Sequence, residues 1–339
     1  MDDKFERYSR QLLFAPIGRD GQERLANRRV LIVGMGALGT VLASHLVRSG
    51  VGAVRFVDRD YVEKSNLQRQ MLFDESDVGH SFPKAIAAEK KLRAINSEVA
   101  LEPVVADVTA ENVEALLDGV DLVTDGTDNF ATRFLLNDAC FRKGIPFVYG
   151  GAVSSRGMSA MFVPGRTACL RCLLGDEGDG EGQTCDTIGV ISPVVDMVAS
   201  YQSAEALKYL AGAEHAFRNR LVTVDVWRNQ HYEMKFPPPR ADCPTCGLRV
   251  FPALQAGRRK AATLCGRNTV QIHERSVLDL TQWRKRLAPV SKVSVNPFLL
   301  RAELPEGERL VLFSDGRVLV QGTEDIVRAR TLYARYIGG

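Results

Sequence analysis

The strongest constraint in the chain is Arg29-Val-Leu-Ile-Val33 running directly into Gly34-x-Gly36-x-x-Gly39. The unbroken apolar run reads as a strand buried on both faces, the glycines as a tight turn, and the stretch to about Ser49 as a helix. A second strand-like run, Ala53-Val-Arg-Phe-Val-Asp58, completes a β-α-β unit. Such a unit requires a parallel sheet with a helix covering it. Backbone N–H groups of the glycine turn, backed by the helix dipole, can face a phosphate. Asp58 lies 19 residues past Gly39 and ends the second strand, where a carboxylate can reach ribose hydroxyls. This motif alone says only that the ligand is a nucleotide, with NAD(P) as the default.

The chain has 339 residues, enough for about two domains. Apolar runs at 120–124 and 145–149 predict further strands, preceded by helices at 110–118 and 131–143. A long helix is expected over 192–211, with Ser192 as N-cap and Pro193 at the first helical position. Strand-like alternation returns over 220–236. Residues 175–186 hold four glycines and five acidic residues, which predicts a mobile loop. The segment 251–267 follows Pro237-Pro238-Pro239 and reads as a linker. Beyond it, 268–339 reads as a small α+β module. Its expected strands are Thr269–His273, Leu299–Leu304, Arg309–Phe313 and Arg317–Gln321, with helices over Asp279–Leu287 and Glu324–Ile337. Asp315-Gly316 marks a hairpin. The expected fold class is therefore α/β: a Rossmann-like domain with a mixed, mostly parallel sheet over 1–250, followed by the module. The closing Tyr336-Ile337-Gly338-Gly339 reads as a glycine cap on the last helix.

With 44 Lys+Arg against 41 Asp+Glu, the formal charge is +3, which leaves no footprint for nucleic acid or an anionic membrane. The amino terminus, Met1-Asp-Asp-Lys-Phe-Glu-Arg7, is too charged for a signal peptide, and glycines interrupt the most apolar stretch, Val30 to Val47. A soluble, cytoplasmic protein is expected.

Cations shift the nucleotide reading. Asp58-Arg59-Asp60 leads into Ser65-Asn66-Leu67-Gln68-Arg69-Gln70, and Lys84 follows. A dinucleotide needs few cations, whereas a triphosphate under attack gains from Arg and Lys groups that neutralise developing charge. Asp125-Gly-Thr-Asp128-Asn129 follows the strand at 120–124, at a carboxyl end of the sheet where ligands bind in open α/β folds. From spacing alone, Asp128 either holds Mg²⁺ or caps the next helix.

Seven cysteines without a secretory signal argue against a disulfide scaffold. Cys169-x-x-Cys172 and Cys243-x-x-Cys246 supply the four thiolates of a closed, structural Zn²⁺ site that would tie two distant segments together. Cys185, in the acidic loop, is a candidate nucleophile, although its acidic neighbours oppose thiolate formation. Cys140 fits a helical apolar pattern and reads as core.

Together these residues resemble the ubiquitin-activating-enzyme-like adenylyltransferases of the ThiF, MoeB and HesA family. The matching elements are Arg7-Tyr-Ser-Arg10-Gln11, the glycine turn, Asp58-Arg-Asp60, Ser65-Asn-Leu-Gln-Arg69-Gln70, Lys84, Thr127-Asp128-Asn129, both cysteine pairs and Thr184-Cys185. Ala37 departs from the family's usual glycine but keeps its backbone N–H. The resemblance implies ATP-dependent adenylation of the carboxyl-terminal Gly-Gly of a ubiquitin-like sulfur-carrier protein, releasing pyrophosphate and priming a thiocarboxylate. It implies an ATP site formed by Gly34, Gly36, Ala37, Gly39, Asp58, Asn66, Arg69, Lys84, Asp128 and Asn129. It further implies that Asp128 positions Mg²⁺, that Arg10 serves the neighbouring subunit of a homodimer, and that Cys185 acts in sulfur transfer. No cysteine follows Cys265, so the module is not a cysteine-dependent rhodanese domain. An external donor, a cysteine desulfurase or rhodanese-type protein, is expected. The runs Phe313-Ser-Asp-Gly-Arg-Val and Leu332-Tyr-Ala-Arg-Tyr-Ile resemble the tail of long ThiF-type proteins, which favours thiazole over molybdopterin synthesis. The competing readings are a molybdopterin-type or shared activator, an NAD-dependent oxidoreductase, and a silent scaffold that binds a ubiquitin-like partner.

Overall fold

Strand β1 (Arg29–Val33) is central to the larger of two sheets in the computed structural model, which describes residues 3–175, 188–255, 261–264, 268–273 and 277–338. Its neighbours are β2 (Ala53–Asp58), β3 (Ala100–Val105), β4 (Leu122–Asp125) and β5 (Phe147–Val153), all parallel, in the order β3-β2-β1-β4-β5. Three antiparallel strands, β6 (Arg156–Phe162), β7 (Arg220–Asp225) and β8 (Gln230–Lys235), extend the sheet beyond β5.

The apolar run of β1 serves two cores. Val30 and Ile32 pack with Leu38, Leu42 and Leu46 of helix α1 (Ala37–Arg48), Leu92 of α2 (Lys84–Ile95) and Val194 and Val198 on the helix Ser192–Leu210. Leu31 and Val33 face Val113, Leu116, and Phe134 and Leu135 of α3 (Phe130–Lys143). Because side chains alternate across a strand, covering both faces turns every position apolar. The parallel arrangement then brings Gly34, Asp58 and Asp125 to one edge of the sheet, at the carboxyl ends of β1, β2 and β4.

Two expected features take a different form. The N-cap of helix Ser192–Leu210 is Ile191, with Ser192 the first helical residue. The Ile191 N–H donates to the Ser154 carbonyl at 3.0 Å, so the chain's entry is fixed by backbone pairing and not by a hydroxyl cap. The expected linker over 251–267 contains a short helix, Pro252–Gln255, and strand β9 (Ala261–Leu264), which pairs antiparallel with β10 (Thr269–His273). The second sheet therefore begins inside the segment read as a linker. Strand β3 was not legible in the sequence because Glu102 and Pro103 interrupt it, which an edge strand tolerates.

The second sheet adds β11 (Lys292–Val295), β12 (Leu299–Glu303), β13 (Arg309–Phe313) and β14 (Arg317–Gln321), in the order β11-β12-β13-β14-β10-β9. One face packs Leu310, Leu312, Val318 and Val320 against Trp283 and Leu287 of helix Leu280–Leu287 and Leu332 and Tyr333 of helix Ile326–Tyr336. The opposite face, with Leu299, Val311, Phe313 and Leu319, closes on Tyr61 and Val105 of the first unit. Gly338, at φ +95, donates its N–H to the Tyr333 carbonyl at 3.2 Å and caps the last helix as expected. Cys185, residues 176–186 of the acidic loop, Cys265 and Gly339 lie outside the described residues. Among the described residues, no helix is long and apolar enough to cross a membrane.

Candidate nucleotide site and metal centre

The glycine turn is held from below. The Gly34 N–H donates to the Val57 carbonyl at 2.8 Å, tying the end of β1 to β2. Asp58 accepts the Met35 N–H on Oδ2 and the Asp60 N–H on Oδ1, both at 2.7 Å. Its carboxylate thus joins the turn to the next loop, and each oxygen keeps a second lone pair for a ligand hydroxyl. Burial pushes the Asp58 pKa up, and the nearby Lys84 charge opposes that shift.

Two of the glycines are required for different reasons. A Cβ on Gly39 would lie 1.8 Å from the Gly34 carbonyl oxygen, so the helix could not approach the strand. Among the described residues, a Cβ on Gly36 would meet nothing closer than Gln70 Nε2 at 3.8 Å, and its φ of −83 lies outside the left-handed region. No contact among the described residues calls for glycine at 36. The space it leaves, at the N-terminal end of α1 where Ala37 begins the helix, suits a phosphate approaching the backbone.

Asn66 and Arg69 lie in the loop that follows β2, and Lys84 opens α2. Lys84 is only 3% exposed, with Nζ 3.4 Å from Asp60 Oδ2. Its backbone N–H also donates to the Asp60 carbonyl, at 2.9 Å. Asn66 is buried, and its Oδ1 accepts the Glu63 N–H at 3.0 Å, which leaves the amide NH₂ for a ligand. Half-buried Arg69 donates from Nη1 to the Ser65 carbonyl at 2.9 Å. Asp128 is exposed, just beyond the carboxyl end of β4. The capping role weighed for Asp128 belongs to Asn129, whose Oδ1 accepts the Thr132 N–H at 2.9 Å. Arg10 sits exposed on the helix Ser9–Leu12.

Sequence reasoning placed Asp125 at the carboxyl end of the sheet but did not foresee its pairing with Arg133. Asp125 is fully buried against Arg133, with Nε at 3.0 Å, and also accepts from Thr127 N at 2.8 Å and Thr127 Oγ1 at 2.6 Å. Arg133 Nη2 donates to the carbonyls of Thr127 and Gly150 at 2.8 and 3.0 Å. Gln202 Nε2 donates to the Asp125 carbonyl at 2.8 Å. The available signal was Arg133, four residues after Asn129 on the helix that Asn129 caps.

The two cysteine pairs do meet. The four sulfurs of Cys169, Cys172, Cys243 and Cys246 lie within 4.8 Å of one another, with Cys169–Cys243 at 3.5 Å and Cys172–Cys246 at 3.4 Å. A tetrahedral zinc with bonds of about 2.3 Å sets its sulfurs about 3.8 Å apart, so the donor set fits that ion. Burial pushes the Cys243 thiol up, but the N–H groups of Cys246 and Thr245 and the thiols of Cys169 and Cys172 together outweigh it and lower its pKa to about 7. Burial pushes Cys169 upward, so a cation is needed to hold the full set as thiolates. Beneath the cluster, buried Asp138 pairs with Arg171 at 3.3 Å and accepts the Ala253 N–H at 2.8 Å. Asn137 Oδ1 accepts the Leu170 N–H at 2.9 Å. Helix α3 thereby anchors both cysteine-bearing segments.

The ThiF family model matches residues 8–245. A sulfur carrier protein ThiS adenylyltransferase of Bacillus subtilis is 48% identical over 338 residues, covering 98% of this chain and 99% of that protein. The molybdopterin-synthase adenylyltransferase of Escherichia coli is 38% identical over 247 residues, covering 73% of this chain and 98% of its own length. Among solved structures, E. coli MccB with ATP superposes with a TM-score of 0.60 at 24% identity, covering 71% of this chain and 74% of that one, and shares the fold. The chain is a member of the ThiF family.

Proposed function

We propose that this protein adenylates the carboxyl-terminal glycine of a ubiquitin-like sulfur carrier of the thiazole-forming type, using ATP and releasing pyrophosphate. The observation that carries this reading is the 48% identity to a ThiS adenylyltransferase across 98% of the chain. That similarity runs through the module beyond residue 250, outside the 8–245 span of the family model.

The geometry suits the reaction. A carboxylate is a poor electrophile, and attack of its oxygen on the α-phosphorus, with loss of pyrophosphate, gives it AMP as a leaving group. Asp58 would accept the ribose hydroxyls, while the α1 amides and Gly36 would cradle phosphate. Asn66, Arg69 and Lys84 would neutralise the charge that builds on the departing pyrophosphate. Arg10 would complete the site of a neighbouring subunit in a homodimer. Mg²⁺, held by Asp128 and the triphosphate, would supply further charge neutralisation. Zinc would be structural, and Cys185 would act later, when sulfur from an external donor reaches the carrier.

Lys84→Ala is expected to lower exchange of pyrophosphate into ATP by about 10²–10³-fold, the effect of losing one preorganised charge at a reacting centre. Exchange within twofold of wild type in a folded Lys84→Ala protein would contradict the assignment. The pathway is tested by exchange with purified thiazole-type and molybdopterin-type carriers. Exchange with the first alone supports the proposal, exchange with both indicates a shared activator, and exchange with neither removes the sulfur-carrier reading.

A further inference from the structure

The second sheet does more than stand beside the nucleotide site. Its inner face touches the first unit at points that flank three proposed ATP ligands, Asp58, Asn66 and Lys84. Next to Asp58, Arg317 is fully buried, its Nε held by Asp315 at 2.6 Å, and its Nη1 donates to the Arg59 carbonyl at 2.9 Å. Burying a guanidinium is costly unless it is paired and hydrogen-bonded. Here one arm of the paired group crosses the interface to a single backbone oxygen beside Asp58.

Next to Asn66, the Tyr61 hydroxyl lies 3.0 Å from both Glu63 Oε1 and Gln321 Oε1, and its one proton serves either acceptor. Gln321 Nε2 donates to Glu63 Oε1 at 3.4 Å. Glu63 forms a capping box with Asn66, donating its N–H to Asn66 Oδ1 at 3.0 Å. The orientation of the Asn66 amide thus depends on where Glu63 sits, and Gln321 helps fix that position.

Before Lys84, Ser81 adopts a left-handed backbone at φ +50, which a residue with a Cβ enters at some cost. Asn296 Nδ2 donates to the Ser81 carbonyl at 3.0 Å, and Arg301 Nη1 donates to the Ser81 hydroxyl at 2.6 Å. The module holds the turn that delivers Lys84 to the site.

The geometry points to the carboxyl-terminal module as a clamp that preorganises the ATP site, with Arg317, Gln321, Asn296 and Arg301 as positioning residues. The inference rests on the proposed adenylation reading and deepens it. None of these four residues is among the proposed ATP ligands. Each fixes the backbone or side chain beside a group that is, so its removal weakens ATP binding and leaves carrier recognition unaffected.

The test uses the full-length protein, because Gln321 and Arg301 are half-buried and can be changed without opening the module's core. Binding of a non-hydrolysable ATP analogue is measured by calorimetry for wild type, Gln321→Ala, Arg301→Met and Arg301→Lys, with melting temperatures alongside. Gln321→Ala and Arg301→Met are expected to raise Kd about tenfold, equal to 1.4 kcal/mol. In exchange assays the ATP KM rises equally, while kcat and the carrier KM stay within about twofold. Arg301→Lys, which keeps a donor for Ser81, recovers most of the affinity. Wild-type Kd values in Gln321→Ala and Arg301→Met overturn the clamp alone. Loss of ATP affinity only in proportion to lost melting temperature, with no rescue by Arg301→Lys, also overturns it. A wild-type protein that binds no ATP overturns the adenylation reading beneath it.

Discussion

Gly39→Ala is expected to destroy the nucleotide site together with the fold around it, whereas Gly36→Ala leaves the fold intact and loses the nucleotide. At position 39 the new methyl would sit 1.8 Å from the Gly34 carbonyl oxygen, a backbone atom at the end of the central strand. Gly126 packs into the same junction, where a Cβ would meet the Gly34 oxygen at 2.4 Å. Neither neighbour can rotate away, so α1 must move off β1, exposing Leu38 and Leu42 from the larger core. Overpacking relieved by side-chain shifts costs about 1–3 kcal/mol, and a backbone clash exceeds that range. A fall in melting temperature of roughly 10 °C or more is expected, on the basis of 2–4 °C per kcal/mol for a unit of this size. At position 36 the methyl clears Gln70 by 3.8 Å, so the melting temperature barely changes. The affinity for ATP nonetheless falls at least about tenfold, or 1.4 kcal/mol. Scanning calorimetry and ATP titration of the two variants check both halves. An unchanged ATP affinity in Gly36→Ala would contradict the phosphate cradle.

The second large effect is expected at the four-cysteine cluster, on removal of the zinc that its donor set fits. The cluster joins the segment after β6, through Cys169 and Cys172, to the segment after β8, through Cys243 and Cys246. Cys169 and Cys243 are fully buried within the core that also holds Phe134 and Leu170. Structural zinc supplies roughly 10–16 kcal/mol of apparent binding free energy in small metal-folded peptides. That is comparable to the whole margin, about 5–15 kcal/mol, by which most domains are stable. The purified protein is therefore expected to carry zinc by elemental analysis. Chelation or Cys243→Ser should lower its melting temperature by more than about 10 °C, on the same scaling. Metal-free protein with an unchanged melting temperature would contradict the structural role.

What the sequence revealed divides along physical lines. Features encoded in consecutive residues were legible: the β1–turn–α1 unit, the Asp315-Gly316 hairpin, and the cysteine pairs whose spacing presents two thiolates from one turn. Features that depend on tertiary pairing were not. Strand β3 escaped because Pro103 and Glu102 sit on an edge, where pairing on one side suffices. The Asp125–Arg133–Gln202 network was hidden because Gln202 lies 77 residues from Asp125 along the chain. The contact between Gln321 and Glu63 spans 258 residues, so no local pattern in the sequence reveals it. The module's strands did carry a clue, since Arg309-Leu-Val-Leu-Phe313 is apolar at four successive positions. A sheet with only one covered face would alternate. The run anticipates the second buried face that closes on Tyr61.

Transfer of AMP from ATP onto the terminal carboxylate of a carrier is tested by intact-mass spectrometry of the carrier. The protein is incubated with ATP, Mg²⁺ and a thiazole-type carrier ending in Gly-Gly, with sulfur donors left out. The account predicts that the carrier gains the mass of one adenylyl group at its terminal carboxylate, and that the gain is lost with Lys84→Ala and with a carrier lacking the final glycine. A carrier that stays unmodified while wild-type protein binds ATP, or an adenylyl group placed on any other residue of the carrier, would contradict it.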